Sequence, residues 1–538
     1  MKLDTRIREF MAPVRVLMAE GVENAENLLR EADQIGLNEK VFAKVQGKAR
    51  ILLDFGKELH GALRIVTGYG TEGAPVHLRL GESVGEAVSP LGTKGSTNNH
   101  SLRDMTVPLS ILSDMEFFCS GFRFAYLEFT DENAKFCLKA VNAVYIHNAR
   151  PQTGSFRCSD ELINKIYDTA AYTVQLCAQD YIWDGIKRDR LVWIGDIYPE
   201  MRALLSVCAD DGCITKSLDF VKNETPLPAW MNTFPMYSMW WLIILCDYYK
   251  LAGNLDYILS QKEYMVALLE QIDGCIAENG DFDFGTNFVD WPTHEQPDEP
   301  EGVRCLCRIC ADRAEELEKL CGRDGSLSRR IRAKMDKKDV PVQDKKQIVA
   351  LKYFSRTALS EKEKKLLTEN GAKGFSTFMS YFLLSALSEN ADMEQTLNAL
   401  KEYYGGMLKM GATTFWEDFD VDWMENSCPV DRLCKEGERD IHGDFGRYCY
   451  IGYRHSLCHG WSAGVIPFLL ERVIGVKIDE AGYKKVTVSP DLGSLTWFDA
   501  QIPTPAGLLK ISCKKENGKV KTTVDAPEGC KVNVVEKN

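Results

Sequence analysis

No stretch of this 538-residue chain is apolar for long enough to cross a bilayer as a helix. The longest candidate, Met239-Trp-Trp-Leu-Ile-Ile-Leu-Cys246, stops at Asp247, whereas a span takes roughly 18 or more apolar residues. The first ten residues, Met1 to Phe10, lack the apolar core of a secretory signal. Positive charge is also short. The 65 Lys and Arg stand against 78 Asp and Glu, a net charge of −13, which disfavours nucleic acid or a membrane surface as the main partner. The 18 cysteines show no compact disulfide spacing, so reduced thiols and a cytoplasmic location are expected. No internal repeat is strong enough to count structural units. What is present is a globular composition, 45% hydrophobic and 27% charged, in a chain long enough for roughly two to four domains.

The pattern along the chain changes twice. Residues 1–152 read as β: Ala62–Val66 and Val76–Leu80 flank a glycine-rich turn, and Phe122–Phe129 alternates bulky residues. With no helical crossover between such strands, a sandwich is expected. Gly68-Tyr-Gly70-Thr-Glu-Gly73 matches a dinucleotide fingerprint, but Ala74-Pro75 and a further strand follow where that motif needs a helix. It reads as a hairpin turn. Asp-Phe-Gly occurs at 54–56, 283–285 and 444–446 without a catalytic loop and carries no kinase meaning. Residues 153–475 turn helical, with segments expected at 161–176, 197–208, 236–252, 255–276, 302–321, 346–354, 361–370, 375–388, 392–407 and 459–474. So many helices, broken by loops rich in Trp, Asp and Gly, suggest a barrel of α-hairpins around a polar centre. Arg323–Gln347 is so charged that a solvated connection is expected there. Residues 476–538 return to β, with strands at 485–488, 508–512, 519–524 and 531–535 and turns at 491–493 and 516–518, suggesting a second, small sandwich.

Chemistry concentrates in two acidic stretches. In residues 181–200, Asp184, Asp189 and Asp196 are interleaved with Arg188, Arg190, Trp183 and Trp193. Carboxylates beside indole rings suit a sugar, whose hydroxyls need acceptors and whose faces are apolar. The same residues also suit an ion-paired helix entrance with Asp196 as cap. The second stretch, Gly411-Ala-Thr-Thr-Phe-Trp-Glu417-Asp-Phe-Asp-Val-Asp-Trp423, has the alternating acids of a calcium loop. It fails as one, because Trp423 and Pro429 stand where glycine and a bidentate Glu are needed. Cys305, Cys307, Cys310 and Cys321 do not share one helix face and read as buried thiols. Trp240 and Trp241 read as core, and Trp230 as a candidate sugar platform.

Taken together these motifs resemble the α-L-rhamnosidases of glycoside hydrolase family 78. Arg190-Leu-Val-Trp-Ile-Gly-Asp196 matches the family's Arg-Leu-Gly-Trp-Thr-Gly-Asp at five of seven positions, and 411–417 matches Gly-Ala-Thr-Thr-x-Trp-Glu in full. Asp290-Trp291 and Cys458-His459-Gly460 resemble two further blocks. The resemblance implies an (α/α)6 barrel flanked by N-terminal and C-terminal β-sandwiches. It also implies inverting hydrolysis, acid–base chemistry that needs no cofactor; no metal site is expected, and nothing in the sequence supports a structural Ca²⁺. In that frame Glu417 is the general base and Asp189 the general acid, standing where the family has Glu. Asp184, Arg188, Trp193, Asp196, Trp291 and His459 fall on sugar-binding positions, with Asp290 beside them. The implied substrate is a terminal α-L-rhamnose, or a related sugar, on a small glycoside. A non-catalytic glycoside-binding relative and a lyase on the same barrel are the alternatives, and a homodimer is compatible with all three.

Overall fold

The computed structural model describes residues 3–30, 36–37, 39–516 and 519–536. The expected turn at 516–518 therefore falls largely outside the described residues. So do Met1 and Lys2.

The N-terminal region folds as a seven-stranded antiparallel sheet in the order Ile7–Met11, Lys135–His147, Ala43–Gly70, Asp114–Phe129, Ala74–Gly81, Asp104–Leu109, with Arg15–Glu23 pairing Ala43–Gly70 off that path. Ala43–Gly70 is long enough to pair with three neighbours, shifting register near Gly56–Gly61. Its alternate residues Ile51, Leu53 and Phe55 enter the core with Phe122 and Leu127 from the next strand. The glycine-rich Gly68–Gly73 joins two strands directly, and no helix follows it. It is not a hairpin, however. The strands on either side do not pair with each other, because Asp114–Phe129 lies between them.

The central region is built of helices in two rings. The inner ring closes in contact order: Ile194–Val207 packs on Pro235–Ala252, then come Glu299–Leu320, Lys346–Phe354, Ser380–Asn390 and the Gly460–Val473 segment, which returns to the first. Pro235–Ala252 and Ser380–Asn390 are buried on nearly every side, as helices enclosed by a second layer must be. Glu161–Cys177, Cys213–Glu224, Lys262–Gly274, Ser326–Met335, Glu361–Thr368 and Met393–Lys409 stand outside them, amphipathic with one buried stripe. Trp240 and Trp241 are core, as expected.

Several boundaries differ from expectation. The charged 323–347 stretch is not all loop, for Ser326–Met335 is a helix that buries Leu327, Ile331 and Met335. Cys213–Glu224 is a helix with no sequence-level expectation. The expected 255–276 helix breaks at Gln261, whose side chain is held by Lys222 and Asp219. The final inner segment is a 3-10 turn at Gly460–Gly464, an α turn at Val465–Phe468 and a π turn at Leu469–Val473. At the C-terminal end two sheets face each other, Val476–Glu480, Lys485–Val488 and Lys531–Val534 in one. Trp497–Thr504, Gly507–Glu516 and Lys519–Asp525 form the other, and Ser155–Cys158, from far upstream, completes it.

Candidate active site

Because the six inner helices run the same way, their N-terminal ends meet at one mouth of the barrel. Trp193, Phe234, Asp298, Lys345, Met379 and His459 are the residues that enter them. Helix N-termini favour negative charge, and the two acidic stretches lie here. Asp196 is not a cap. The helix starts at Ile194, earlier than expected, and Asp196 sits in its first turn with its carboxylate turned sideways to His459 Nε2 (3.0 Å) and Tyr237 OH (3.3 Å).

Glu417 and Asp189, separated by more than two hundred residues, meet on one side chain. Arg188 Nη2 donates to Glu417 Oε1 at 2.5 Å, and Arg188 Nη1 lies 3.6 Å from Asp189 Oδ1. The terminal nitrogens of a guanidinium are about 2.3 Å apart, so Glu417 Oε1 and Asp189 Oδ1 can be no more than about 8.5 Å apart. Ser456 N–H donates to Glu417 Oε2 at 3.0 Å. The Glu417 carbonyl accepts from Trp461 Nε1 and the Thr377 hydroxyl, fixing the backbone that carries it. Burial alone pushes the Glu417 carboxyl up. The Arg188 guanidinium outweighs it, helped by His459 and His455, and brings the group down to about 2. Glu417 is therefore a buried carboxylate that remains ionised.

Around this pair the environment reverses. Asp184 is buried, accepts only the Leu191 N–H (2.9 Å), and is raised well above the carboxylate range by burial and then by its acidic neighbours Asp189 and Asp196, against His459. Burial opposes a charge on His459, yet its bond to Asp196 and the charge of Glu417 raise it, so the Asp196–His459 pair holds a proton. His459 Nδ1 is buried without a hydrogen-bond partner. Asp290 accepts from the Ser376 hydroxyl and is pushed up to about 7 by burial. An ionised Glu417 thus shares one mouth with the raised carboxyls of Asp184 and Asp290.

Trp193 packs edge-on to Tyr237 (5.9 Å) and against Phe234. Trp291 stacks on Tyr448 (5.2 Å, 29°). Phe288 touches Phe234, Tyr237 and Trp291, so the two indoles belong to one aromatic cluster at this mouth. Trp230 lies apart, with its ring against Phe284 (6.4 Å). A cavity of about 430 Å³ opens beside Trp291, lined by Asp418, Trp423, Phe445 and Tyr448 among others. Arg190 does not serve the carboxylates. It sits at φ 59° and donates to the His100 and Cys119 carbonyls of the N-terminal sheet region.

Three participants carry no motif. Lys187 is buried with its ammonium 2.9 Å from Glu82 and 3.4 Å from Glu86, and it donates to the Tyr453 and His455 carbonyls. Among the described residues, Glu82, Glu86 and His442 form the one cluster with metal-ligand spacing. The Lys187 ammonium already supplies positive charge there, and both His442 nitrogens are engaged, by Ser83 and by the His455 carbonyl. Ser456 contributes only backbone. His100, from a loop of the N-terminal region, reaches Asp189. The cysteines at 305, 307, 310 and 321 are buried free thiols, raised by burial.

A closed double ring of helices with acids at one mouth, between β regions, defines a six-hairpin glycosidase fold. Residues 151–312 match the bacterial alpha-L-rhamnosidase 6 hairpin glycosidase domain, and residues 475–536 the bacterial alpha-L-rhamnosidase C-terminal domain. These two segments are thus similar to domains of the bacterial α-L-rhamnosidases. A GH78 family rhamnosidase of Bacillus sp. GL1 superposes with a TM-score of 0.73 at 22% identity, over 91% of this chain and 53% of that one. A rhamnosidase from Klebsiella oxytoca with rhamnose bound gives 0.68 at 17% identity, over 87% and 96%. An alpha-L-rhamnosidase of Formosa agariphila is 33% identical over 87 residues, 16% of this chain and 9% of that relative. The chain thus spans about half of the Bacillus protein and a small part of the Formosa one. Among the described residues, no helix is long and apolar enough to cross a membrane.

Proposed function

We propose that this protein is an inverting glycoside hydrolase that releases terminal α-L-rhamnose, or a closely related sugar, from small glycosides or oligosaccharides. The observation that carries the reading is the sharing of Arg188 by Glu417 and Asp189. Inverting glycosidases hold their two carboxyls roughly 6.5–9.5 Å apart, leaving room for a water, and the ceiling set by the guanidinium reaches into that window. Both Glu417 oxygens already accept hydrogen bonds. That suits a base orienting water better than a nucleophile needing a free oxygen.

In this mechanism the sugar lies between the two acids with Trp193 and Trp291 at its faces. Asp184, Asp290 and the Asp196–His459 pair meet its hydroxyls. Protonated carboxyls donate to hydroxyl oxygens and accept from hydroxyl hydrogens, so the raised Asp184 and Asp290 suit a neutral ligand. Asp189 gives its proton to the glycosidic oxygen as the bond to the anomeric carbon breaks. Water adds from the opposite face and Glu417 takes its proton. Support for L-rhamnose comes from the relatives' names and from the rhamnose bound to the Klebsiella protein.

A panel of aryl glycosides tests the reading. Turnover of the α-L-rhamnoside, lost at least about 100-fold in Glu417→Gln and Asp189→Asn, is expected from the removal of base and acid. Tight binding of L-rhamnose without turnover of any glycoside would favour the binding-protein alternative.

A further inference from the structure

Asp189 touches two ionisable side chains that belong to different parts of the molecule. Arg188 comes from its own loop. His100 comes from the loop before the Asp104–Leu109 strand of the N-terminal region and places Nδ1 3.2 Å from Asp189 Oδ1. His100 is not there by chance packing. Its backbone sits at φ 69°, a conformation that side chains with a Cβ adopt at a cost. Two reciprocal hydrogen bonds lock the loops together: Arg190 Nη2 donates to the His100 carbonyl at 2.6 Å, and the Ser101 hydroxyl donates to the Lys187 carbonyl at 2.8 Å. Asn98 holds the next turn through the Arg103 and Asp104 N–H groups. The residues flanking His100 and those flanking Asp189 thus fix one another.

We infer that His100 is a positioning residue for the acid, holding the Asp189 carboxyl in place through Nδ1 and returning a proton to it after each turnover. The inference rests on the hydrolase reading above. Of the two side chains in contact with Asp189, a guanidinium does not release its proton in a protein, whereas imidazole exchanges one near neutral pH. The balance is simple. Asp189 transfers its proton to the glycosidic oxygen, whose bond to carbon breaks with the electron pair going to oxygen. His100, as its imidazolium, then gives the Nδ1 proton to the Asp189 carboxylate and is left neutral. The half-exposed imidazole (29% side-chain exposure) recovers a proton from solvent, to which Glu417 returns the one it took from water. Other charged or titratable groups facing this pair are Arg188, Arg190, Asp184, Glu417, Cys119 and Cys449.

The test uses His100→Gly, which fits the positive φ, and His100→Asn, which fits it while keeping a donor that cannot titrate. Rates are measured on aryl α-L-rhamnosides whose phenols range from poor to excellent leaving groups. Expected is a loss of about 10- to 100-fold on poor leaving groups with near-normal rates on the best, which need no acid. The alkaline limb of kcat/KM should move in both variants, and added imidazole should rescue His100→Gly selectively. Equal loss across all leaving groups, with an unmoved pH profile and no rescue, overturns the inference. Wild-type protein inert to the whole series would instead overturn the hydrolase reading. Nitrogen NMR of the histidine rings reports on the contact with no substrate present. At a pH where the ring is neutral, its one proton should reside on His100 Nδ1, and in Asp189→Asn it should redistribute towards Nε2; an unchanged tautomer counts against the pairing.

Discussion

Arg188 carries two duties that a single substitution separates. It is buried, and it offsets the burial of Glu417, so Arg188→Met leaves a carboxylate with no counter-charge in the interior. Removing one partner of a buried pair costs about 3–5 kcal/mol. Glu417 is depressed from 4.5 to about 2 in the folded protein, so its contribution to stability is fully present above pH 4.5 and is lost as the pH falls through 2. Urea midpoints of wild type and Arg188→Met should therefore differ most near neutrality and converge as the pH drops from 4.5 towards 2. A difference that grows on acidification would contradict the assigned charge state. At this scale the sequence was informative wherever chemistry fixes residue identity at short spacing. Residues 184–196 and 411–417 each bring several polar groups to one mouth within one loop. His100 and Lys187 were illegible, because nothing near them in sequence marks a contact with a strand or loop some ninety residues away. Arg190 was illegible for the same reason: its backbone turns left-handed and sends the guanidinium to the neighbouring region.

Among the elements, the last inner segment is the most constrained. Gly460 follows His459 and packs so tightly on Glu200 that an added Cβ would lie 1.7 Å from its Oε1. Glu200 itself is fully buried, with neither carboxyl oxygen hydrogen-bonded, and burial raises it well above the carboxylate range. Gly460→Ala should destabilise by about 1–3 kcal/mol, the usual cost of overpacking, and should weaken sugar binding by displacing His459. Calorimetric melting with L-rhamnose titration reads both, and a variant with unaltered melting would refute the close approach. This element also shows why helix boundaries escaped the sequence. Its apolar spacing runs continuously from 459 to 474, but the segment passes through 3-10, α and π turns. By contrast Lys346–Phe354 falls where the 3.6-residue pattern put it. The Ser326–Met335 helix was masked by its own charges, which face solvent and ion-pair along its surface while three apolar residues enter the core.

Across the whole molecule, the N-terminal sheet is part of the site's scaffold. Glu82 and Glu86 hold Lys187 immediately before Arg188, the Leu457 N–H donates to Glu82, and the Glu58 N–H donates to Thr413 in the second acidic loop. Both catalytic candidates are thus anchored from the same side. Lys187→Met strands two buried carboxyls and should cost about 3–5 kcal/mol. Burial already pushes Glu82 up to about 7 against the pull of Lys187, so the penalty should shrink as the pH falls below 7 and Glu82 neutralises. Unfolding followed separately by tryptophan fluorescence, which reports the barrel, and by far-ultraviolet dichroism should shift together in this variant. Separate shifts would mean that the sheet and the barrel are energetically independent. The β–α–β order was legible from the change of periodicity along the chain. The pairing of Ser155–Cys158 with Trp497–Thr504 was not, because strand partners so distant leave no local trace.

Two carboxylates gathered on one guanidinium, one of them fully ionised and hydrogen-bonded through both oxygens, predict hydrolysis in a single displacement by water. Proton NMR of an aryl α-L-rhamnoside during the first minutes of turnover should show β-L-rhamnose appearing first, with the α-anomer growing in only as the free sugar mutarotates. The α-anomer appearing first would contradict the account.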